Sequence, residues 1–282
     1  MKKSNYNPFR IKFISSLTLF CALLVIPALL FGQNDSLSTD EIKRLSLEDL
    51  MNIEVTSVSR RPEDIREVAS AIQVITQQDI RNSGVKTLPE ALRLASNLQV
   101  AQVNASQWAI SARGFTNVLA NKLLVLIDGR TVYTPLYAGV FWDIQNLILE
   151  DIDRIEVISG PGGTQWGGNA VNGVINIITK SSRDTRGVFA EAVTGSSVDG
   201  LGSVRYGGNL SEEVTFRLYG TGFKMGNTLE ANTGLESKDN WSTVHGGFQV
   251  DWAFSEKSNL TLQQMYIKPG LTPTLSLQWA RQ

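Results

Sequence analysis

The sequence predicts an α+β domain followed by antiparallel strands of a transmembrane β-barrel, with too few strands present to close it. Three observations carry that prediction. A basic N-terminus leads into a long apolar run, and helix caps alternate with short apolar strands as far as Lys180. Beyond Lys180 helix signals vanish, and segments of about ten residues alternate between apolar and polar positions.

The totals exclude some partners. The chain carries 26 Lys+Arg against 27 Asp+Glu, a net charge of -1. No basic excess exists to neutralise a phosphate backbone, which argues against nucleic acid. With 24 glycines and 8% aromatic residues, the composition suits a turn-rich β protein better than a helical bundle. The single cysteine, Cys21, lies inside the N-terminal apolar run, so a processed chain has none. That removes cysteine zinc sites and structural disulfides.

Residues 1–32 read as an export signal. Lys2, Lys3, Arg10 and Lys12 precede an almost uncharged stretch from Phe13 to Phe31, and Gly32 and Gln33 open a polar segment. This is the layout of a cleaved secretory leader. A permanent transmembrane helix is the alternative, because the run approaches spanning length. Pro27 and the small Gly32 favour cleavage near Gly32–Gln33. Phe20 directly before Cys21 argues against a lipoprotein site.

Residues 33–64 form an N-terminal segment, polar up to about Ser46, and residues 65–180 a folded domain of about a hundred residues. AIQVIT, residues 71–76, reads as a strand. Thr76 caps a short helix that stops at Gly84. Thr87 with Glu90 makes a capping box for a second helix, LPEALRLAS. Strands follow at LQVAQV, WAISAR and KLLVLIDG, the last a continuous apolar run ended by an Asp-Gly turn. RIEVIS and GVINIITK complete the domain.

Residues 181–282 hold about six barrel-type strands. In VTFRLYGTGF, Val214, Phe216 and Leu218 share one face, and Thr215, Arg217, Tyr219 and Thr221 the other. In TVHGGFQVDWAF, Val244, Phe248, Val250, Trp252 and Phe254 oppose His245, Gln249 and Asp251. Strands with one apolar and one polar face fit lipid outside and a wet lumen inside. NLSEE and SEKS are short connections, whereas KMGNTLEANTGLESKDN is long and polar. Both short turns then fall on the periplasmic side and the long loop outside. A soluble β-sandwich would also alternate, and strand patterns alone leave it open.

Catalytic signatures do not appear, so the chain reads as a non-enzyme needing no cofactor or metal. The only histidine, His245, falls on the polar side of a strand, where a lumen or surface role is the ordinary one. The acidic cluster LEDIDRIE is expected to be a solvated face. GPGGTQWGGNAVNG, residues 160–173, lacks the Gly-Lys-Ser/Thr of a phosphate loop and the third glycine of a dinucleotide loop. Its glycines are expected to serve backbone conformation.

DIDRIEVIS followed by GPGGTQWGGNAVNGVINIITK is similar to the end of the plug domain of TonB-dependent outer-membrane receptors. KLLVLIDGRTVYTP resembles the central strand and turn of that plug, and WAISARGF its Arg-Gly segment. The motifs run in family order over roughly residues 65–180. The resemblance implies a plug inside a barrel of about 22 strands, in the outer membrane of a Gram-negative bacterium and contacting its lipid. It implies uptake of a scarce nutrient, an iron–siderophore or similar metal chelate or a cobalamin-like ligand. Energy would come from TonB and its inner-membrane energising complex. The alternative is an exported, non-transporting binding or adhesion protein with a plug-like domain.

Site residues follow from this likeness. The segment Ile53, Glu54, Val55, Thr56, Ser57, Val58 resembles the TonB box in composition and in its place before the plug. It is β-prone and suited to strand addition on a partner, or else is an ordinary first strand. Trp108, Tyr133, Tyr137, Phe141 and Trp142 lie in loops matching the family's ligand face and would offer flat amphipathic surface. About half of these are expected to pack the core instead. Arg113 matches a plug arginine that meets barrel glutamates in the family. Its usual companion is replaced here by Ser159, so that ion cluster is expected to be altered. About six strands cannot close round a plug, and the chain is expected to be a fragment or a truncated product.

Overall fold

The computed structural model describes residues 54–55, 63–64, 71–114, 116–160, 166–196, 198–230, 232–255, 258–268 and 274–281. The export signal over residues 1–32 lies outside them, as do Ile53, Thr56, Ser57 and Val58 of the candidate TonB box. β1 (Glu54–Val55) pairs antiparallel with β2 (Glu63–Asp64).

β3 (Ala71–Thr76) runs directly into α1 (Gln77–Ser83). Thr76 supplies the switch: its hydroxyl accepts from Asp79 N–H at 3.2 Å, and the Asp79 carboxylate accepts from Thr76 N–H at 2.9 Å. This satisfies two donors that a helix start leaves free. Gly84, at φ 70°, ends the helix. Thr87 and Glu90 form the same box at α2 (Leu88–Ala91). The second helix is shorter than its sequence predicts, because the chain tightens into a 3-10 turn over Leu92–Leu94. Tertiary contacts capture it there: Gln73 on β3 donates to the Leu94 carbonyl and accepts from Ser96 N–H.

The domain is built on a five-stranded sheet. β8 (Ile152–Ser159), β9 (Gly173–Thr179), β6 (Leu123–Ile127) and β7 (Arg130–Thr131) join β3 in the order β3-β8-β9-β6-β7. Only β6 and β9 run parallel. The unbroken LLVLI run is explained by burial on both faces. Leu123, Val125 and Ile127 enter the main core with Ile75, Leu92, Ile155, Val157, Ile175 and Ile177, while Leu124 and Leu126 pack with Ile158 and Val174 behind it. Each such side chain contributes about 1.5–3 kcal/mol by leaving water. β4 (Leu98–Gln102) and β5 (Trp108–Ala112) form a separate hairpin.

β10 (Gly187–Val193), β11 (Val198–Asn209), β12 (Val214–Met225), β13 (Trp241–Ser255), β14 (Ser258–Lys268) and β15 (Thr274–Arg281) follow as an open antiparallel meander. Its burial is inverted relative to a soluble sheet. Ser203, Arg205, Thr215, Arg217, Thr221, His245 and Gln249 are buried against the α+β domain, whereas Val188, Val204, Leu218 and Val244 are exposed. Polar side chains inside and apolar ones outside are what a barrel wall in lipid requires. Towards the β11–β12 turn the outer face carries edge-to-face aromatic pairs, Tyr206–Phe216 at 6.0 Å and Trp252–Phe254 at 5.5 Å. Such rings suit the headgroup level of a membrane.

Candidate functional site: the outward loops and the seam between domain and sheet

The strand-to-strand connections assign the two ends. The β11–β12 connection, residues 210–213, is short and lies at one end with the linker that leaves β9; the β12–β13 connection, residues 226–240, is long and lies at the other, where β10 also turns into β11. By the usual asymmetry of such barrels the first end is periplasmic and the second faces outward.

At the periplasmic end the seam is polar and charged. Asp151, just before β8, is buried and bonds the Arg205 guanidinium of β11, with Arg217 of β12 at 3.7 Å from its other oxygen. Arg205 also lies over the Phe189 ring, 5.2 Å from its centroid. Arg217 donates to the Thr179 hydroxyl at 3.0 Å. This overturns the expectation that LEDIDRIE is a solvated face at two of its four acids, while Asp153 stays exposed. Asp151 and Glu156 are buried, Glu156 accepts from Arg154 at 2.8 Å, and Glu150 pairs with Arg81. Asp151 serves an ion pair because a sheet packs across it, which no local pattern announces.

The linker is held to the same wall. Ser182, fully buried, donates through its N–H and its hydroxyl to the Asp251 carboxylate of β13, each at 2.6 Å. Asp251 also accepts from Thr261 at 2.6 Å and Gln249 at 2.9 Å. Gly207 permits the crossing, since a Cβ there would stand 2.3 Å from the Thr185 carbonyl. Asp128, in the left-handed turn after β6, accepts from Thr179 N–H at 2.7 Å and from Gln263 of β14 at 3.4 Å.

At the outward end Asp239 does the joining. Its carboxylate accepts from Thr228 N–H at 2.8 Å, the Thr228 hydroxyl at 2.6 Å, the Ser237 hydroxyl at 2.7 Å and Ala105 N–H at 2.8 Å. Burial would raise this carboxyl, but those bonds from Thr228, Ala105 and Ser237 outweigh it and hold it well below the usual carboxylate range. Trp241 Nε1 donates to the Ala105 carbonyl, and Phe223 and Met225 pack beside Ala105. The long loop is thus tied to the β4–β5 loop.

The aromatic residues divide. Trp108 and Trp142 are buried in the main core, Trp108 beneath the Arg93 guanidinium at 5.1 Å. Tyr133 and Tyr137 are half-buried and Phe141 is exposed. Tyr137 and Phe141 stack, with centroids 4.0 Å apart and planes 21° apart. Arg113, at φ 56°, is exposed, and its Nη2 lies 3.4 Å from where a Cβ at Gly160 would stand. Among the described residues it makes no ion pair. Ser159, where the family's second arginine is expected, accepts from Asn97 Nδ2. The ion pair across the seam, missed by sequence reasoning, is the reverse arrangement: an acid on the domain and arginines on the sheet. The inward positions of Arg205 and Arg217 in alternating strands were the available signal.

Val55 is buried and opposite Glu63, with Glu54 opposite Asp64.

Residues 64–174 match the family model of the TonB-dependent receptor plug domain. The chain is 28% identical over 211 residues to the vitamin B12 transporter BtuB of Vibrio vulnificus, covering 72% of this chain and 32% of that protein. It is 30% identical over 179 residues to the ferric enterobactin receptor PirA of Pseudomonas aeruginosa, covering 55% and 23% respectively. Among solved structures, the ferripyoverdine receptor of the Pseudomonas aeruginosa outer membrane superposes with a TM-score of 0.60 at 18% identity, over 76% of this chain and 27% of that one. The ferric-catecholate import receptor Fiu of Escherichia coli K12 gives 0.53 at 24% identity, over 74% and 28%. These structural likenesses establish the fold. The chain spans between 23% and 35% of the length of these curated relatives.

Proposed function

This chain carries the plug domain of a TonB-dependent outer-membrane receptor and six strands of barrel wall, and we propose that the protein is a gated importer of a metal chelate of the siderophore or cobalamin type. Its place is the outer membrane of a Gram-negative bacterium. The observation that carries the reading is the inverted sheet, polar against the plug and apolar towards lipid. A barrel wall whose lumen is filled by a folded domain blocks diffusion, so uptake requires the domain to be rearranged. The relatives named above are a vitamin B12 transporter and a ferric enterobactin receptor, which supports a bulky chelate as cargo.

The outer membrane has no ATP, so work must come from a periplasmic partner, which we take to be TonB with its energising complex. The segment 53–58 is our candidate grip. Two of its residues pair with Glu63 and Asp64, and strand addition to a partner would exchange that short pairing for a longer one. On the outward side the exposed stack of Tyr137 and Phe141, with Tyr133 nearby in sequence, is the candidate ligand face. In outer membranes bearing the intact receptor, Tyr133→Ala and Tyr137→Ala should weaken chelate binding without lowering receptor abundance. Unchanged affinity in both would remove these loops from the ligand site.

A further inference from the structure

We propose that His245 is an acid-sensitive catch on the seam between plug and barrel wall, whose charging releases plug residues 145–147 from β13. The device belongs to the seam and is independent of what the receptor carries. His245 stands on the lumen face of β13, opposite Thr221 of β12 and Ile267 of β14. It is 3% exposed, and neither ring nitrogen has a hydrogen-bond partner among the described residues. The plug sets the Asn146 main chain against it. Gln145, next in the chain, is also buried, with no partner for its side-chain oxygen. Elsewhere on this seam buried polar groups are paired, as Ser203 is with Thr221 at 3.0 Å. The segment has room to move. Leu147 borders a cavity of about 60 Å³ with Tyr219 and Gln249, and a second of about 210 Å³ with Asn146, Ser203 and Thr221. Trp142 and Ile148, both buried, anchor its two ends.

A neutral imidazole brings one donor and one acceptor to this place, whereas an imidazolium brings two donors and a full charge. The Asn146 main chain offers at most one acceptor. No carboxylate stands ready to take the charge. On the lumen face beside His245, β12 carries Tyr219, Thr221 and Phe223, β14 carries Met265 and Ile267, and β13 itself Thr243 and Gly247. Of these only Tyr219 titrates, and a phenol is uncharged near neutrality. On the plug, the Asp143 carboxylate is taken up by the main-chain N–H groups of Asp143 and Ile144. Glu150 is held by Arg81, Gln77 and Lys180. Glu191, beside the larger cavity, pairs with Lys86 at 3.3 Å. An unpaired charge in a buried place is costly, so the charged ring favours the arrangement that lets water reach it. Moving residues 145–147 into the neighbouring cavities supplies that arrangement.

The test uses outer membranes bearing the intact receptor, otherwise free of cysteine, with Ser203→Cys as a buried thiol beside the larger cavity. Its labelling rate is read as the ratio of the His245 receptor to His245→Gln at the same pH, which cancels the titration of the thiol itself. That ratio should rise about tenfold from pH 7.5 to pH 5.5, because an imidazole open to water charges near pH 6.5. His245→Phe cannot charge either, and the ratio taken against it should rise by the same factor. Both variants keep the receptor's other histidines, so a tenfold rise against both assigns the effect to His245. A ratio that stays level over this range would overturn the inference. A rise against only one of the two variants would overturn it as well, since it would report packing at position 245 and not charge. Either failure leaves the import reading standing.

Discussion

The Asp151 carboxylate of the plug bonds the Arg205 guanidinium of the second barrel strand, and neither group is open to solvent. Arg217 supplies a second positive charge at 3.7 Å. Removing the acid leaves buried arginines uncompensated, at a cost of about 3–5 kcal/mol. Asp151→Asn is therefore expected to loosen the plug in the barrel. In a receptor otherwise free of cysteine, Ala170→Cys, at a site 1% exposed, is the reporter. Its thiol-labelling rate in mild urea should rise in the Asp151→Asn background. In Arg205→Gln combined with Asp151→Asn the increase should be less than additive.

Trp108→Ala and Trp142→Ala should behave differently from substitutions at Tyr133 and Tyr137. Both tryptophans are in the plug core, and emptying such a site costs about 3–5 kcal/mol. Receptor abundance in the outer membrane should fall, measured by quantitative blotting. Normal abundance with lost ligand binding would show that these rings reach the ligand after all.

Asp239 should hold the long outward loop through mild acid. Its folded-state pKa is depressed, so its stabilising effect is complete above the unfolded value of about 4 and is lost only as pH falls through the lower folded value. Lys238 is exposed and gives trypsin a cleavage point in this loop. Asp239→Ala should speed nicking after Lys238, whereas Asp199→Asn, which removes only an exposed pair with Lys224 at 3.0 Å, should not. After a pulse at pH 5 the wild-type loop should stay as resistant as at neutral pH. Equal cleavage of Asp239→Ala and wild type would mean the tether to Ala105 does not hold the loop.

Val55→Pro should abolish uptake while leaving ligand binding at the cell surface intact, since proline removes a donor and fixes φ in the middle of the candidate coupling strand. Val55→Ala should retain most uptake if main-chain bonds supply the grip. Val55 is buried opposite Glu63, which makes the other outcome informative: loss of binding together with uptake would assign Val55 to the folded plug.

Much of this architecture was legible because it rests on short-range chemistry. Thr76 with Asp79 and Thr87 with Glu90 cap helices within one turn, and Asp128-Gly129 turns a strand within two residues. The strict alternation through Arg217 and Gln249 separated the lumen face from the lipid face, because side-chain direction along a strand repeats every second residue. The sequence by itself therefore determined the order of plug and barrel, the strands, and which face of each strand is polar. Tertiary structure alone decided what those polar faces do. Asp151 meets Arg205 across 54 positions of chain, and Asp239 meets Ala105 across 134. An acidic cluster reads alike whether water or a guanidinium stands opposite. Trp108 and Tyr137 were equally eligible for the ligand face, and only packing put one in the core and the other outside. Desolvation depends on what lies across the gap, and a linear pattern does not contain the gap.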